Sequence, residues 1–564
     1  MNRAVLTAAA VLLTGNQGPE NLLPSYASRN AMPETHYVSP AGSDAGSGTM
    51  ADPWATPGFA SRQMAAGDTL VILEGRYSLS VFDDDIVRPP SGIPGMRTVI
   101  RGEPGKRPIL AGSSNLLALV DITDQSHVHL KGLELTSDNG APSRDAILGD
   151  ESQTDIHLED LYIHHMDEAA VNMHNVHGLV ISDSRFTYCG LGGIIGSKDG
   201  NWREVMIRDT ELSWSGFYYQ GVFGPNHFDR PDGFGIEPSD GPIEFERVRV
   251  LYNRGDGLDS KSDSTHIWDS VIAHNEADGL KLWGGGSTVT NTLIYGRGGT
   301  YTEPTSYSAI VIEADGADET FEFRHITVDD IVGNNYIMHI EYDPPHDGIQ
   351  VLIANSIFNA RNERSALFAA DEVDLSIESS VFFFPESEEV FSSHTYGIVA
   401  DDFSSAFPTS IYADPLFVAP AAPGEEGNYR LQPGSPAMNL GAPEYSVGTD
   451  LDGVIRPVGL ASDAGAYQGS LYMGGEPSLP DAPSLEVYPN PTRGLLNVRL
   501  DRAPLAASLL LVDPIGRRVT GLSVQLGRSP VQWRLPEQLA GGTYFLLVRS
   551  ADGAERAVPI QLIR

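Results

Sequence analysis

The run IWDSVIAHNEADGLKLWGGGSTVTNTLIYG, residues 267–296, contains one six-residue pattern twice: IWDSVI at Ile267–Ile272 and VTNTLI at Val289–Ile294, 22 residues apart. Each copy is an apolar residue, two mostly polar residues, and then the start of a strand. Working outward, the same pattern recurs as LKGLEL from Leu130, LEDLYI from Leu158, ISDSRF from Ile181, IRDTEL from Ile207 and FERVRV from Phe245. Beyond the opening pair come FRHITV from Phe323, IANSIF from Ile353 and IESSVF from Ile377. Successive starts lie 28, 23, 26, 38, 22, 22, 34, 30 and 24 residues apart. The floor of 22 decides the fold. One turn of a parallel β-helix uses three short strands and three bends, roughly 20–25 residues, and longer gaps are the same turn plus a loop. A leucine-rich repeat would demand stricter Leu and Asn positions, and a propeller a period of about 40. The sequence therefore predicts an all-β chain: a right-handed parallel β-helix of ten or more coils. Inward Val, Ile, Leu and Phe form its long core, and successive coils lie about 4.8 Å apart.

The flanks complete the domain plan. Met1–Asn2–Arg3 followed by an apolar run from Ala4 to Leu13 reads as a signal peptide over about residues 1–20, too short to span a bilayer. The β-helix is expected over 34–470. Its N-terminal cap (34–77) carries a short helix near Pro57–Met64 and resembles the opening of many secreted β-helix proteins. The closing segment spans 411–470, where DLDG at Asp450–Gly453 reads as a structural turn in preference to a calcium loop. Residues 471–484, rich in Gly, Pro and Ser, form a linker. From 485 to 564 strands alternate with turns, which predicts a small antiparallel β-sandwich. Tyr488–Pro489–Asn490–Pro491, Gly494, Gly516 and Gly541–Gly542–x–Tyr544 make this segment similar to the sorting domain of the type nine secretion system. That resemblance implies the secretion machinery as a partner, export across the outer membrane, and surface attachment or release.

Charge and composition narrow the function. The 564 residues carry a net charge of −38, which argues against a nucleic-acid partner. A polyanionic substrate would be repelled by most of this surface, so its site must supply positive charge; a blander role of the acidity is solubility. The single cysteine, Cys189, excludes an internal disulfide and reads as a small core residue. His157, His164, His165, His174 and His177 read as exposed ladder residues in preference to a zinc site. No apolar run after the leader is long enough for a membrane span, and a monomer is expected.

Chemistry concentrates where three coils each contain Asp-Gly: PDGFGIE (231–237), GDGLDSK (255–261) and ADGLKLW (277–283). Asp232, Asp256 and Asp278 are 24 and 22 residues apart and should stack as one ladder, with Gly235, Asp259 and Lys281 as a second. Asp-Gly is also a common turn pair, and Asp259 with Lys281 would by itself be an ordinary surface ion pair. Unpaired carboxylates about 5 Å apart repel by roughly 3 kcal/mol at an effective dielectric near 20. A calcium ion, which favours carboxylate oxygens, reverses that sign, and Asp232, Asp256 and Asp259 could supply three ligands. With such a cation one coil below it, Lys281 would favour the neutral amine, the form that takes a proton. That set suits β-elimination on a uronic acid: the cation binds the carboxylate and the lysine removes the proton at C5. The aromatic stretch 214–233 is expected to wall the cleft. Tyr218, Tyr219 or Trp283 would stack on sugar rings and Arg230 would bind a carboxylate; packing within the loop is the alternative.

DGFG, NRGDGLDSK and DGLKLWGGGSTVTNTLIYG resemble the core of polysaccharide lyase family nine, pectate lyases on a parallel β-helix. The resemblance implies four calcium-binding aspartates and a lysine base. By match, Asp232, Asp256 and Asp259 are metal ligands and Lys281 the base, while the fourth aspartate position holds Gly255. The expectation is a secreted, calcium-dependent lyase acting on an acidic polysaccharide such as pectate. A non-catalytic glycan-binding β-helix or adhesin, or a glycoside hydrolase on the same fold, are the alternatives.

Overall fold

The computed structural model describes residues 32–469 except 83, 114–115, 138–142, 219–230, 297–307, 332–335, 343–347 and 362–365. It also describes 485–562 except 489–491, 501–504, 513–517, 527–529, 537, 540–541 and 551–554. The signal peptide and the linker expected from the sequence lie outside these residues.

Every copy of the six-residue pattern lands in the same place. Its first residue lies near the end of one side of a coil and its sixth begins the next side, although in the copies at Leu130 and Leu158 the strand runs through the bend. First residues Leu158, Ile181, Ile207, Phe245, Ile267, Val289, Phe323, Ile353 and Ile377 pair coil to coil in one unbroken parallel register. Sixth residues Leu212, Val250, Ile272, Ile294, Val328, Phe358 and Phe382 do the same one sheet on. A third column, Phe234, Leu258, Leu280, Ile310, Met338 and Leu367, belongs to the sheet that carries the candidate site. The three columns fill one buried core, and the architecture is a parallel β-helix.

The two middle positions of the pattern explain the bend between sheets. The third residue is left-handed in all ten copies: Gly132, Asp160, Asp183, Asp209, Arg247, Asp269, Asn291, His325, Asn355 and Ser379, with φ between 49° and 66°. Asp, Asn and Gly tolerate that conformation best, which is why they dominate there. The fourth residue is often a buried hydroxyl. Ser184, Ser270, Ser356 and Ser380 each accept an N–H from the preceding coil and donate to the carbonyl two residues back. The hydroxyl satisfies backbone groups that the corner would otherwise leave unpaired.

Each end of the core is covered. Trp54, Ala60 and Met64, around the helix Pro57–Gln63, join the core at the N-terminal end. The helix Ala400–Ala406 inserts Phe403 against Phe382, ring centroids 5.1 Å apart, at the other. The segment after residue 414 then folds back along the outside of the sheet that holds the sixth residues of the pattern. Phe417, Ala421, Tyr429, Ala437, Ala464 and Ala466 bury Leu251, Ala273, Leu293, Tyr295, Ile357 and Val381. Polar ties fix it across several coils. Arg456, 1% exposed, donates to Asn291 Oδ1 at 3.1 Å and to the carbonyls of Asp463 and Gly465. Asn355 exchanges two hydrogen bonds with Ala442, and Tyr429 donates to Asp329 at 2.6 Å. Asp450 caps its own turn by accepting the N–H groups of Asp452 and Val454.

The C-terminal residues form a separate antiparallel sandwich. Leu485–Tyr488, Leu495–Leu500 and Val531–Arg534 make one sheet. Leu505–Val512, Arg518–Leu526, Gly542–Ser550 and Glu555–Leu562 make the other. Leu496, Val498, Leu509, Leu511, Trp533, Leu546 and Ile560 pack between them. No helix among the described residues is long and apolar enough to cross a membrane.

Arg456→Ala removes the donors that hold Asn291 Oδ1 and two buried carbonyls. We expect a loss of about 2–4 kcal/mol, read as a lower denaturation midpoint, with proteolytic cleavage appearing first within 414–469.

Candidate active site

The three Asp-Gly pairs open successive strands of the sheet that holds the third column: Asp232–Ser239, Leu258–Ser262 and Leu280–Leu282. The glycines are there for space. A Cβ at Gly233, Gly257 or Gly279 would lie 2.4–2.7 Å from a carbonyl oxygen of the next coil. The aspartates stack as the sequence predicts, and each has a structural bond. Asp232 Oδ1 accepts the N–H of Asp256 at 2.7 Å, Asp256 Oδ1 that of Asp278 at 2.9 Å, and Asp278 Oδ1 that of Ser308 at 2.6 Å. Repeat architecture therefore accounts for one oxygen of each.

Asp232 and Asp256 also have Asp259 as a neighbour. Gly235, Asp259 and Lys281 pair one above another, as the second ladder requires. A Cβ at Gly235 would stand 2.9 Å from Asp232 Oδ2, so the bare glycine leaves room for that carboxylate to lean toward Asp259. Asp232, Asp256 and Asp259 each offer an oxygen, all within 4.8 Å of one another. Asp256 and Asp259 are only 6% and 7% exposed. Burial, with the charges of Asp256 and Asp259, holds the Asp232 carboxyl well above its ordinary range. Burial, with the charges of Asp278 and Asp259, pushes Asp256 up to about 7, and Lys281 partly offsets this.

The donor set fits a hard divalent cation. The buried acids are only partly compensated, and Asp259 Oδ1 is buried with no hydrogen-bond partner. The position matched to a fourth acid is Gly255, whose N–H bonds to the Pro231 carbonyl and which brings no ligand side chain.

Lys281 stands on the same wall as the acids, but its ammonium leans up the sheet. It is 3.8 Å from Glu313 Oε2 and 5.3 Å from the centre of the Trp283 ring. The amine that bonds to Asp259 is Lys261, with Nζ 3.0 Å from Oδ2. Lys261 lies 3.9 Å from Glu237 Oε2 and 5.5 Å from the Trp283 ring, so the indole sits between two ammonium groups. Burial lowers the Lys261 pKa, but the charge and hydrogen bond of Asp259, with Glu237 and Asp232, outweigh it and raise the value. The sequence reading gave Lys261 no role. The signal was its spacing: two residues after Asp259 on one strand means the same face. A cleft of about 580 Å³ adjoins the cluster, lined by Glu237, Lys261, Asp263 and Asp315 with Lys198 and Asn201.

Tyr218 packs edge-on against His165, centroids 4.8 Å apart, at one end of the aromatic row His165, Tyr188, Trp214, Tyr252. Tyr219 and Arg230 lie outside the described residues. Cys189 is buried, and its thiol is pushed up to about 12.

Residues 486–558 match the family described as the secretion system C-terminal sorting domain, which marks the chain for type nine export to the cell surface or beyond. No curated protein matches the sequence significantly. Among solved structures, the complex of XylC with xylose aligns over 77% of this chain and 98% of that one, at 11% identity and a TM-score of 0.50, a likeness of fold. A rhamnogalacturonan lyase aligns over 62% and 87% at 17% identity and a TM-score of 0.39. Pectate lyase Pel9A aligns over 78% and 96% at 12% identity and a TM-score of 0.36. The class is thus an exported parallel β-helix with a sorting tail.

A carboxyl raised by burial adds stability below the unfolded pKa, and that contribution is lost as pH rises through the folded value. For Asp256 the window runs from about 4 to about 7. In chelator, Asp256→Asn, which keeps an oxygen for the Asp278 N–H, should raise the melting temperature at pH 8 and leave it nearly unchanged at pH 4. The difference should be up to about 4 kcal/mol. Equal effects at both pH values would show that Asp256 carries no burden of charge.

Proposed function

We propose that this protein is a calcium-dependent polysaccharide lyase that cleaves a polyuronate such as pectate by β-elimination. What supports the reading is one juxtaposition. Three aspartates converge on a single point, one with an orphaned oxygen, and Lys281 sits one coil above Asp259.

In this reading Asp232, Asp256 and Asp259 hold the cation. A bound calcium ion would neutralise the uronate carboxylate and stabilise negative charge as it builds. Lys281, in its neutral form, takes the proton from C5. The electron pair left behind forms the C4–C5 double bond, the C4–O bond breaks, and the leaving oxygen is protonated from solvent. Trp283 offers its ring as a stacking surface for a sugar. The polysaccharide would reach the enzyme outside the cell, where the sorting domain delivers it.

The test is a panel of polyuronates with and without chelator, followed by the ultraviolet absorbance of the unsaturated product. Wild type should produce it only with calcium. Lys281→Ala should lower the rate by about 10²–10⁴-fold. Full activity in Lys281→Ala would remove the proposed base. New reducing ends without the absorbance would make the protein a hydrolase, and glycan binding without either would make it an adhesin.

A further inference from the structure

The two oxygens of Asp259 are in unequal positions. Oδ1 is buried and unpartnered, while Oδ2 accepts from Lys261. The same ammonium forms part of the wall of the cleft, where it and Lys198 are the cations in a lining that also holds Asp199, Glu237, Asp240, Asp263 and Asp315. Lys261 therefore stands at the junction between the acid cluster and the space a substrate would enter. An ammonium hydrogen-bonded to Asp259 and a divalent cation bound by it repel each other at close range in a poorly solvated site. Lysine carries a mobile point charge on a flexible stem, so its head can leave one carboxylate for another within reach.

We propose that Lys261 is a displaceable counter-ion: it holds Asp259 while the acid cluster is free of metal, yields to a divalent cation, and then pairs with a substrate carboxylate lying in the cleft that Lys261 lines. This deepens the polyuronate reading and rests on it for the identity of the substrate. Cation alone binds weakly, because it must displace a hydrogen-bonded charge. Substrate supplies a new partner for the displaced ammonium, so each ligand tightens the other by the same factor.

Calorimetric titration of the full chain with calcium tests this, in a Lys281→Ala background that prevents turnover. Without substrate, Lys261→Met and Lys261→Gln should bind calcium about tenfold or more tighter than the parent, whereas Lys261→Arg, which keeps the charge, should stay within about threefold. Trigalacturonate should tighten calcium binding to the parent about fivefold or more, and by a clearly smaller factor in Lys261→Met, where only the direct attraction between cation and carboxylate remains. Matching circular dichroism and melting in chelator establish that the variants are folded. Unchanged or weaker calcium binding in both neutral variants overturns the counter-ion, as does the absence of calcium binding in every protein. Undiminished coupling in Lys261→Met overturns the substrate pairing. Failure to cleave any polyuronate, with the tightening intact, would instead sink the lyase reading and leave the counter-ion standing. Cleavage with unaltered calcium affinity would do the reverse.

Discussion

The hydrogen-bond ladder between coils sets the position of everything else. Strands one period apart are held at about 4.8 Å, so residues some 22–38 positions apart in the chain become direct neighbours. Phe245 lies on Ile267, Asp256 beneath Asp278, and Asp259 beneath Lys281 because the backbone register permits nothing else. A slip of one residue would exchange inward and outward faces and destroy core and acid cluster together. The corner residues protect that register. A left-handed third position and a hydroxyl at the fourth recur where the chain must turn without losing backbone bonds.

The same constraint makes the acid cluster costly. Three carboxylates are brought within 4.8 Å of one another with little water to screen them. Some of the cost is offset by backbone N–H groups on Asp232 and Asp256, and some by Lys261 on Asp259. The remainder is visible as Asp256 raised to about 7 and as an Asp259 oxygen with no partner. Sites that retain such uncompensated charge are where ligands with the opposite charge gain most.

Much of this was legible in the sequence, for a physical reason. A parallel β-helix converts a one-dimensional period into stacking, so the spacing of 22 between Ile267 and Val289 is already a contact. The spacings of Asp232, Asp256, Asp259 and Lys281 fixed their registers in the same way. Side-chain direction was not legible. Nothing in the spacing says that Lys281 leans toward Glu313 or that Lys261 takes Asp259, because long flexible stems choose partners in three dimensions. Tyr218 was legible only as an aromatic that either stacks on a sugar or packs locally, and its ring meets His165 edge-on. The role of Gly235 was equally hidden: its meaning lies in the carboxylate that occupies the space beside it.

The back-folded segment after residue 414 has a mechanical meaning. Solenoids resist shear along their length but peel readily from a free end, because each coil is held only by its neighbours. Here the chain leaves the β-helix by way of the strip that Arg456, Asn355 and Thr327 fasten across interior coils. A tug arriving from the sorting tail, as on a protein tethered to a moving cell, would meet those fastenings before it reached the last coil and the helix Ala400–Ala406. The load would be spread over several rungs in parallel.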